Sequence, residues 1–587
     1  VRRGNIVTTW NERDQKLQTV YTNRDFRRSF VYQVENAGSP PQAANGRITF
    51  LIELAAGETW HSCGYYILET GSASLNVETD PHRVHTPSTQ CYEPQAEIEV
   101  LQQQWFDGAT QITTAQEEIY RLYQQSIEDM GALRLYDHDF ASDIWLPAAG
   151  VPWFVTIFGR DSLIVSLQNM LVRPSFALGA LKKLADLQAT EFDDWRDAQP
   201  GKIPHELRNG ELAHFNRIPH TPYYGTADAT PLYLIVLHET WKWTGDQSLL
   251  HQYRDVALRC LEWIDQSGDF DGDGFQEYKT RSSQGIENQG WKDSGDAIVY
   301  PDGAQVKAPM ALCELQGYVF DAWLRMAEVF TVLGEPERAV TLKQKAADLQ
   351  QRFEQAFWCE DLGYYAFALD AEKQPVRTIA SNVGHCLWSG IVRPDRAKRV
   401  VQKLMEPEMW GGWGIRTLSA NHPSFNPYSY HLGSIWAHDN GIIALGCKRY
   451  GFSQEAAQIA RGISGAASYF ENYRLPEVYA GIQQQKGAFP IQYAQANVPQ
   501  AWAAGSIFHL LQAILGLQAD APNHQLFVDP DLPAWLPDIT LHQLTIGKAT
   551  LDLRFWRDGE QTRWDADVKT GRIEIHQKAW QSILTVD

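Results

Sequence analysis

From about Thr113 to Gln518 the chain repeats one local device. A long apolar stripe at helical spacing ends at a glycine, a polar or acidic residue follows, and a second stripe begins. WTGDQSLL, VLGEPERA and RYGFSQEAA all read this way. The stripes include AQEEIYRLYQQSIEDM, PSFALGALKKLADLQ, ATPLYLIVLHETWKWTG, QGYVFDAWLRMAEVFTVLG and PQAWAAGSIFHLLQAILGL. They predict roughly a dozen helices in about six antiparallel pairs. A solenoid would repeat more regularly, so a mainly α fold, a closed double ring of helices, is expected.

The flanks carry a different period. Residues 1–112 hold short alternating runs (NIVTTWNE, LQTVYTN, SFVYQVEN, RITFLIEL, CGYYILET) separated by turn residues, as in a β-sandwich. That stretch is short for a whole sandwich, and the chain starts at Val1 already reading as strand, so further strands are expected before it. After Ala519, ITLHQLTIG, KATLDLRFW and GRIEIHQ predict a small β appendage. Three domains are therefore expected: 1–112, 113–518 and 519–587.

A net charge of -20 argues against nucleic acid and anionic membranes as partners and leaves neutral carbohydrate open. The 21 Trp exceed what a core alone needs, so some rings are expected in a cleft. Cys63, Cys91, Cys260, Cys313, Cys359, Cys386 and Cys447 are scattered without CxxC spacing. A disulfide framework or structural zinc is not expected, and a reducing cytoplasm is the simplest location. No signal peptide is visible, and no apolar run approaches the roughly 20 residues of a membrane span.

The polar signal lies in the loops between stripes. PWFVTIFGRDSL holds Trp153, Phe154, Arg160 and Asp161; GKIPHELR holds His205 and Glu206; YYGTADATP holds Tyr224 and Asp228. GWGIRTLS holds Trp413 and Arg416, NPYSYHLGSIWAHDN holds Tyr428, His431, Trp436, His438 and Asp439, and RLPEVYAG holds Glu477. Each loop mixes an aromatic plate with charged or forked hydrogen-bonders, as sugar hydroxyls require. For any single loop, a helix cap beside a core aromatic explains the residues as well. NQGWKDSGD is the most pointed: Asp293 and Asp296 follow Trp291, a flat face for a sugar ring. A carboxyl partly desolvated there would suit a general acid; a helix N-cap is the structural alternative.

Taken in order, FGRDSL, KIPHELR, YYGTADATPL, NQGWKDSGDA, NPYSYHLGSIWAHDN, RLPEVYAG and PQAWAAG resemble the bacterial amylo-α-1,6-glucosidase family, related to the glucosidase domain of glycogen debranching enzymes. The resemblance spans most of 113–518. It implies an (α/α)6 barrel of the six-hairpin type and an inverting hydrolysis of α-glucosides by two carboxylates about 6.5–9.5 Å apart. Asp293 matches the acid of that family, while Asp296 falls where trehalase-like relatives carry theirs. Glu477 matches the base, with Glu471 in YFENY the rival. Arg160, Asp161, His438 and Asp439 would hold the hydroxyls of the terminal glucose, and Trp291 and Trp436 would wall it. His431 and His438, seven apart with no third ligand at metal spacing, are not a zinc pair.

Two other functions fit the same architecture. An inverting phosphorylase would replace the second carboxylate by a phosphate pocket, against which Glu477 speaks. A glycan-binding protein without turnover would leave the two carboxylates misaligned. Trehalose and sucrose remain open as alternative substrates. No cofactor is expected. Asp269, Asp271 and Asp273 in DFDGDGFQEY copy the first half of a calcium loop, but its twelfth position is Thr280, so a self-capped turn is the preferred reading.

Overall fold

The computed structural model describes residues 3–70, 97–135 and 144–580. It divides into two compact units, Val1–Asp107 with Gly210–Arg217, and Gly108–Asn209 with Ile218–Asp587.

The first unit is built on an antiparallel sheet of β1 (Asn5–Asn11), β2 (Lys16–Asn23), β3 (Phe26–Glu35) and β4 (Cys63–Thr70), in that order. Alternation along β3 buries Phe26, Val31 and Val34. The opposite face leaves Ile6, Phe30, Tyr66 and Leu68 exposed. A two-stranded hairpin, Pro41–Ala44 with Arg47–Phe50, is the other sheet here, so among the described residues the sandwich is one sheet and a hairpin. Cys63 is disulfide-bonded, against the expectation of an all-thiol chain, and Cys91 lies outside the described residues.

In the second unit helices alternate between two kinds. One kind is amphipathic: α1 (Glu117–Ala132), α3 (Ser175–Asp186), α5 (Arg254–Gln266), α7 (Pro336–Ala356), α9 (Pro394–Leu404) and α11 (Ser453–Ala467). In α9 the buried set is Ala397, Val400, Val401 and Leu404, one stripe at 3.6-residue spacing. The other kind is buried almost all round: α2 (Gly159–Asn169), α4 (Ala229–Thr244), α6 (Cys313–Val332), α8 (Asn382–Ser389), α10 (Ala437–Arg449) and α12 (Ser506–Leu515). Each buried helix packs on the next, α2 on α4, α4 on α6, α6 on α8, α8 on α10 and α10 on α12, and α12 packs on α2. The glycines of the repeated device, Gly245, Gly334 and Gly451, take positive φ of 69°, 78° and 81°, the left-handed stop that the sequence required.

The C-terminal strands belong to this same unit. β8 (Asp538–Ile546), β9 (Ala549–Asp558) and β10 (Gln561–Thr570) form an antiparallel sheet whose fourth strand is β5 (Gln111–Thr113), from the start of the helical region. Two short strands, β6 (Ile435–Trp436) and β7 (Val478–Tyr479), pair antiparallel and lead into α10 and out of Glu477 respectively. No helix among the described residues is long and apolar enough to cross a membrane. The five cysteines of this unit, Cys260, Cys313, Cys359, Cys386 and Cys447, are free and buried.

Candidate active site

The buried helices carry polar groups at their N-terminal ends: Arg160 and Asp161 on α2, Asp228 before α4, Glu314 on α6, Asn382 on α8, and His438 and Asp439 on α10. Acids in a first turn face the positive end of the helix dipole, which offsets part of the cost of burying them. Arg160 links the set. Its Nε donates to Asp228 Oδ2 at 2.6 Å, Nη1 to Asp293 Oδ2 at 3.2 Å, and Nη2 to the Gly290 carbonyl at 2.8 Å.

The NQGWKDSGD loop is pinned on several sides. Asn288 Nδ2 donates to the Ser294 carbonyl at 2.6 Å, the Ala227 N–H to the Gln289 carbonyl at 2.8 Å, and Lys292 Nζ to the Thr417 carbonyl at 2.6 Å. Trp291 is buried, stacked on His385 and edge-on to His431, Trp436 and His438. Asp293, by contrast, keeps 29% of its side chain accessible. Burial pushes its carboxyl up to about 6, against the pull of the Arg160 guanidinium. Asp296 is exposed and takes the Ser294 hydroxyl at 2.7 Å in a local turn.

Glu477 is buried, 1% accessible, and both its oxygens are held by donors. Tyr430 Oη donates to Oε1 at 2.6 Å, and the Asn497 backbone N–H and Nδ2 donate to Oε2 at 2.9 and 2.8 Å. Gln500 Nε2 lies 3.5 Å from Oε1. Asn497 also accepts the Trp153 N–H at 3.0 Å, setting the exposed Trp153 ring beside this loop. Glu471, the rival acid, is exposed on a short turn, Glu471–Tyr473.

Asp161 feels both of these carboxylates. Burial pushes it up to about 7; Arg160 lowers it, and the charges of Asp293 and Glu477 raise it further. Tyr430 feels the same three acids. Here desolvation and like charges outweigh both the guanidinium and the helix end. One guanidinium and four carboxyl groups, those of Asp161, Asp228, Asp293 and Glu477, thus share one polar site.

Residues 180–480, 301 of the 587, match the mannosylglycerate hydrolase MGH1-like glycoside hydrolase domain. The chain belongs to this family. The match takes in Asp228, Asp293 and Glu477 and begins after Arg160 and Asp161. Among solved structures, the GH63 mannosylglycerate hydrolase of Thermus thermophilus in complex with glucose is 15% identical, with a TM-score of 0.50 over 66% of this chain and 99% of that one. The GH78 rhamnosidase of Bacillus sp. GL1 is 10% identical, with a TM-score of 0.59 over 98% of this chain and 55% of that one. A sialidase is 10% identical, with a TM-score of 0.57 over 96% and 60%. The chain is a glycoside hydrolase of the six-hairpin superfamily acting on carbohydrate. These comparisons do not carry the narrower amylo-α-1,6-glucosidase subtype.

The other sequence candidates of this MGH1-like glycoside hydrolase fall into two groups. His205, His431 and His438 are buried, and desolvation lowers all three imidazoles, His205 to about 4, so they are neutral near pH 7. His431 Nδ1 meets Ser294 Oγ at 2.8 Å, beside Asp293, and its ring stacks on Trp436. His438 stacks on Trp502 at 3.8 Å, and neither ring nitrogen has a hydrogen-bond partner among the described residues. Phe154 and Phe158 lie edge to face under the Arg208 guanidinium. Burial raises Glu206, but the hydrogen bond from His220 and the charges of His205 and Arg208 outweigh it and hold the acid at about 2.

The second group is occupied by the fold. Tyr224 Oη donates to the Leu187 carbonyl at 2.7 Å inside a small core with Ala189 and Ala198. Arg416 spends its guanidinium on the Gly481 and Pro407 carbonyls and on Gln483. Asp439, fully buried, accepts from His385 Nε2 at 2.8 Å, and His385 Nδ1 meets Tyr318 Oη at 2.6 Å. Trp413 lies edge-on to Tyr469 in a separate surface groove. Tyr430, Asn497, Gln500, His385 and Trp502 carry no charge pattern that a sequence reading could seize on.

The Asp269, Asp271 and Asp273 oxygens come within 4.8 Å of one another. Lys373 Nζ fills the charge requirement, 3.1 Å from Asp271 and 2.8 Å from Asp273, and also pairs with Glu277. Asp269 accepts the Gly272 and Gly274 N–H groups at 2.8 and 2.9 Å. An ammonium ion-paired there would repel a divalent cation.

Proposed function

We propose that the chain is an inverting, exo-acting hydrolase that releases glucose from an α-glucoside, with Asp293 as general acid and Glu477 as general base. The gathering of Asp293, Asp161 and Glu477 with Arg160 carries this reading. A carboxyl at about 6 is still partly protonated near neutrality, as a general acid must be. Every partner of Glu477 is a donor, which suits a group that accepts a proton. Asp293 gives its proton to the glycosidic oxygen as the C1–O bond breaks. Water attacks C1 from the opposite face, passes its proton to Glu477, and leaves β-glucose. Asp161 binds hydroxyls of the sugar, Arg160 holds Asp293 in place from behind, and Asp296 takes no part.

The six buried helices, each packed on the next and the last on the first, support an (α/α)6 barrel whose mouth holds this site. The α-1,6 linkage, of a debranching intermediate or a small α-glucoside, rests on the motif resemblance. Hydrolysis is preferred over phosphorolysis because Glu477 is surrounded by neutral Tyr430, Asn497 and Gln500, with Arg160 already committed to two carboxylates.

Proton NMR of the released anomer, over isomaltose, maltose, trehalose, sucrose, glucosylglycerol and a limit dextrin, tests linkage and stereochemistry together. Mannosylglycerate and glucosylglycerate join the panel because the chain belongs to the mannosylglycerate hydrolase MGH1-like family. First-formed β-glucose from an α-glucoside supports the proposal. First-formed α-glucose, or release of glucose 1-phosphate only when phosphate is present, overturns it.

A further inference from the structure

A second feature of the molecule looks built for sugar and uses none of the catalytic carboxylates. It is an open groove of about 690 Å³ along α11, within the roughly 300–1,000 Å³ of a ligand pocket. Its floor is the α11 face of Ala457, Gly462 and Gly465. The smallness matters: a Cβ on Gly462 would come 2.8 Å from Trp410 Cη2, so only glycine lets that indole lie on the helix. Trp413 meets Tyr469 edge to face at 5.3 Å, and Tyr469 itself is 57% exposed. Across the floor, the Arg461 guanidinium lies over the Trp535 ring at 5.5 Å.

Trp410, Tyr469 and Trp535 therefore line one open trough, with the buried Trp413 behind Tyr469. Between them Gln454, Gln458 and Gln484 are exposed, with no side-chain hydrogen bond to protein among the described residues. Each free amide offers both a donor and an acceptor, the pair that vicinal hydroxyls match. Arg461 is already paired with Glu118 at 3.0 Å, and among the described residues the groove holds no other charged side chain. An anionic ligand would find no unpaired cation there. The Gln484 N–H donates to the Gly411 carbonyl at 2.7 Å, which joins the groove wall to the segment that follows Glu477.

We propose that this groove is an accessory binding site for a neutral oligosaccharide chain. Rings supply stacking faces and the glutamines supply hydrogen bonds, so the site holds a longer glycan without cleaving it. The groove is open to solvent, so a chain longer than one sugar can run across it.

The test uses the full chain carrying Asp293→Asn, so that binding is read without turnover and independently of whether the proposed hydrolysis is right. Affinity gel electrophoresis is run in dextran, glycogen and yeast α-mannan, each with and without free glucose to fill a glucose-binding active site. The expected result is retardation in at least one gel that glucose does not relieve. Tyr469→Ala and Gln458→Ala should each weaken that apparent affinity about three- to tenfold. Both sites are exposed, so melting temperatures should stay within about 2 °C of the parent, and Tyr469→Phe, which keeps the ring, should restore most of the binding. No retardation in any gel, retardation that glucose abolishes, or equal mobility of parent and both variants would overturn the proposal.

Discussion

Asp293 and Asp296 are three residues apart and chemically identical, yet their surroundings separate them completely. Asp293 is bound to a buried guanidinium and pushed up to about 6 by burial, whereas Asp296 points to solvent from a Ser-capped turn. Asp293→Asn should lower kcat at least about 10³-fold with ligand affinity retained, and Asp296→Asn should stay within about threefold of the parent. Because the acid must be protonated to act, kcat/KM should fall as pH rises through about 6. A fully active Asp293→Asn, or a flat profile from pH 5 to 8, would remove Asp293 from the acid role. Asp161 gives the complementary stability test. Its folded-state value of about 7 lies above the ordinary carboxyl value of 3.8, so folding favours the protonated form. That preference costs nothing below about pH 4 and costs stability as pH rises towards 7. Asp161→Asn should therefore raise the melting temperature at pH 8, by about 1–2 kcal/mol of stability, and much less at pH 4. Calorimetry at the two pH values would show it; an equal shift at both would mean the charge is not the cause.

Among the elements, the helical hairpins were the most legible, because stripe and glycine stop are local signals that tertiary packing here reinforces, whereas Glu335 and Phe452 at the following helix starts make no side-chain cap. The two kinds of helix were less so. The near-continuous apolar run of α4 and the stripe of α9 both read as helix, and only the packing separates buried from amphipathic. Of the site, the charged residues of the polar segments between stripes were visible, namely Arg160, Asp161, Asp293 and Glu477. The neutral donors that orient Glu477 were not: Tyr430 sits two residues from the exposed Tyr428, and Asn497 comes from a loop 20 residues downstream of Glu477. Such pairings depend on where loops cross. The Asp269–Asp273 turn shows the same limit, since its partner Lys373 lies about 100 residues on and no local pattern announces it. With an ammonium in the carboxylate cluster, EDTA should leave the melting temperature unchanged within about 1 °C, and added calcium likewise. Lys373→Met leaves three acids facing one another, and should lower stability by about 1–3 kcal/mol, a loss that calcium then partly restores. Differential scanning calorimetry with EDTA or calcium distinguishes the cases; a metal-dependent shift in the parent protein would show that Lys373 does not replace an ion.

At the scale of the whole second unit, the strands after Ala519 are part of the helical core's closure and not a detachable ornament. Lys242 on α4 pairs with Asp520 at 2.6 Å, and Lys448 on α10 pairs with Asp529 at 2.9 Å. Backbone bonds add to this: Gly547 N–H donates to the Trp243 carbonyl at 2.8 Å, and Asp529 and Asp531 N–H donate to the last turn of α12 at 3.2 and 3.1 Å. The segment buries Leu526, Val528, Leu532, Leu536, Ile539, Leu541 and Phe555 completely, each worth about 1.5–3 kcal/mol. A folded domain has only about 5–15 kcal/mol in total. Loss of four such side chains, together with two partly buried ion pairs left half-empty at Lys242 and Lys448, is enough to exhaust it. β5 would lose its pairing as well, since Ile112 and Thr113 are matched to Leu541 and Thr540. A chain ending at Gln518 should therefore fail to give a cooperative thermal transition and should accumulate in the insoluble fraction on expression. If it instead melts cooperatively within about 5 °C of the full chain, the helices hold without their C-terminal sheet.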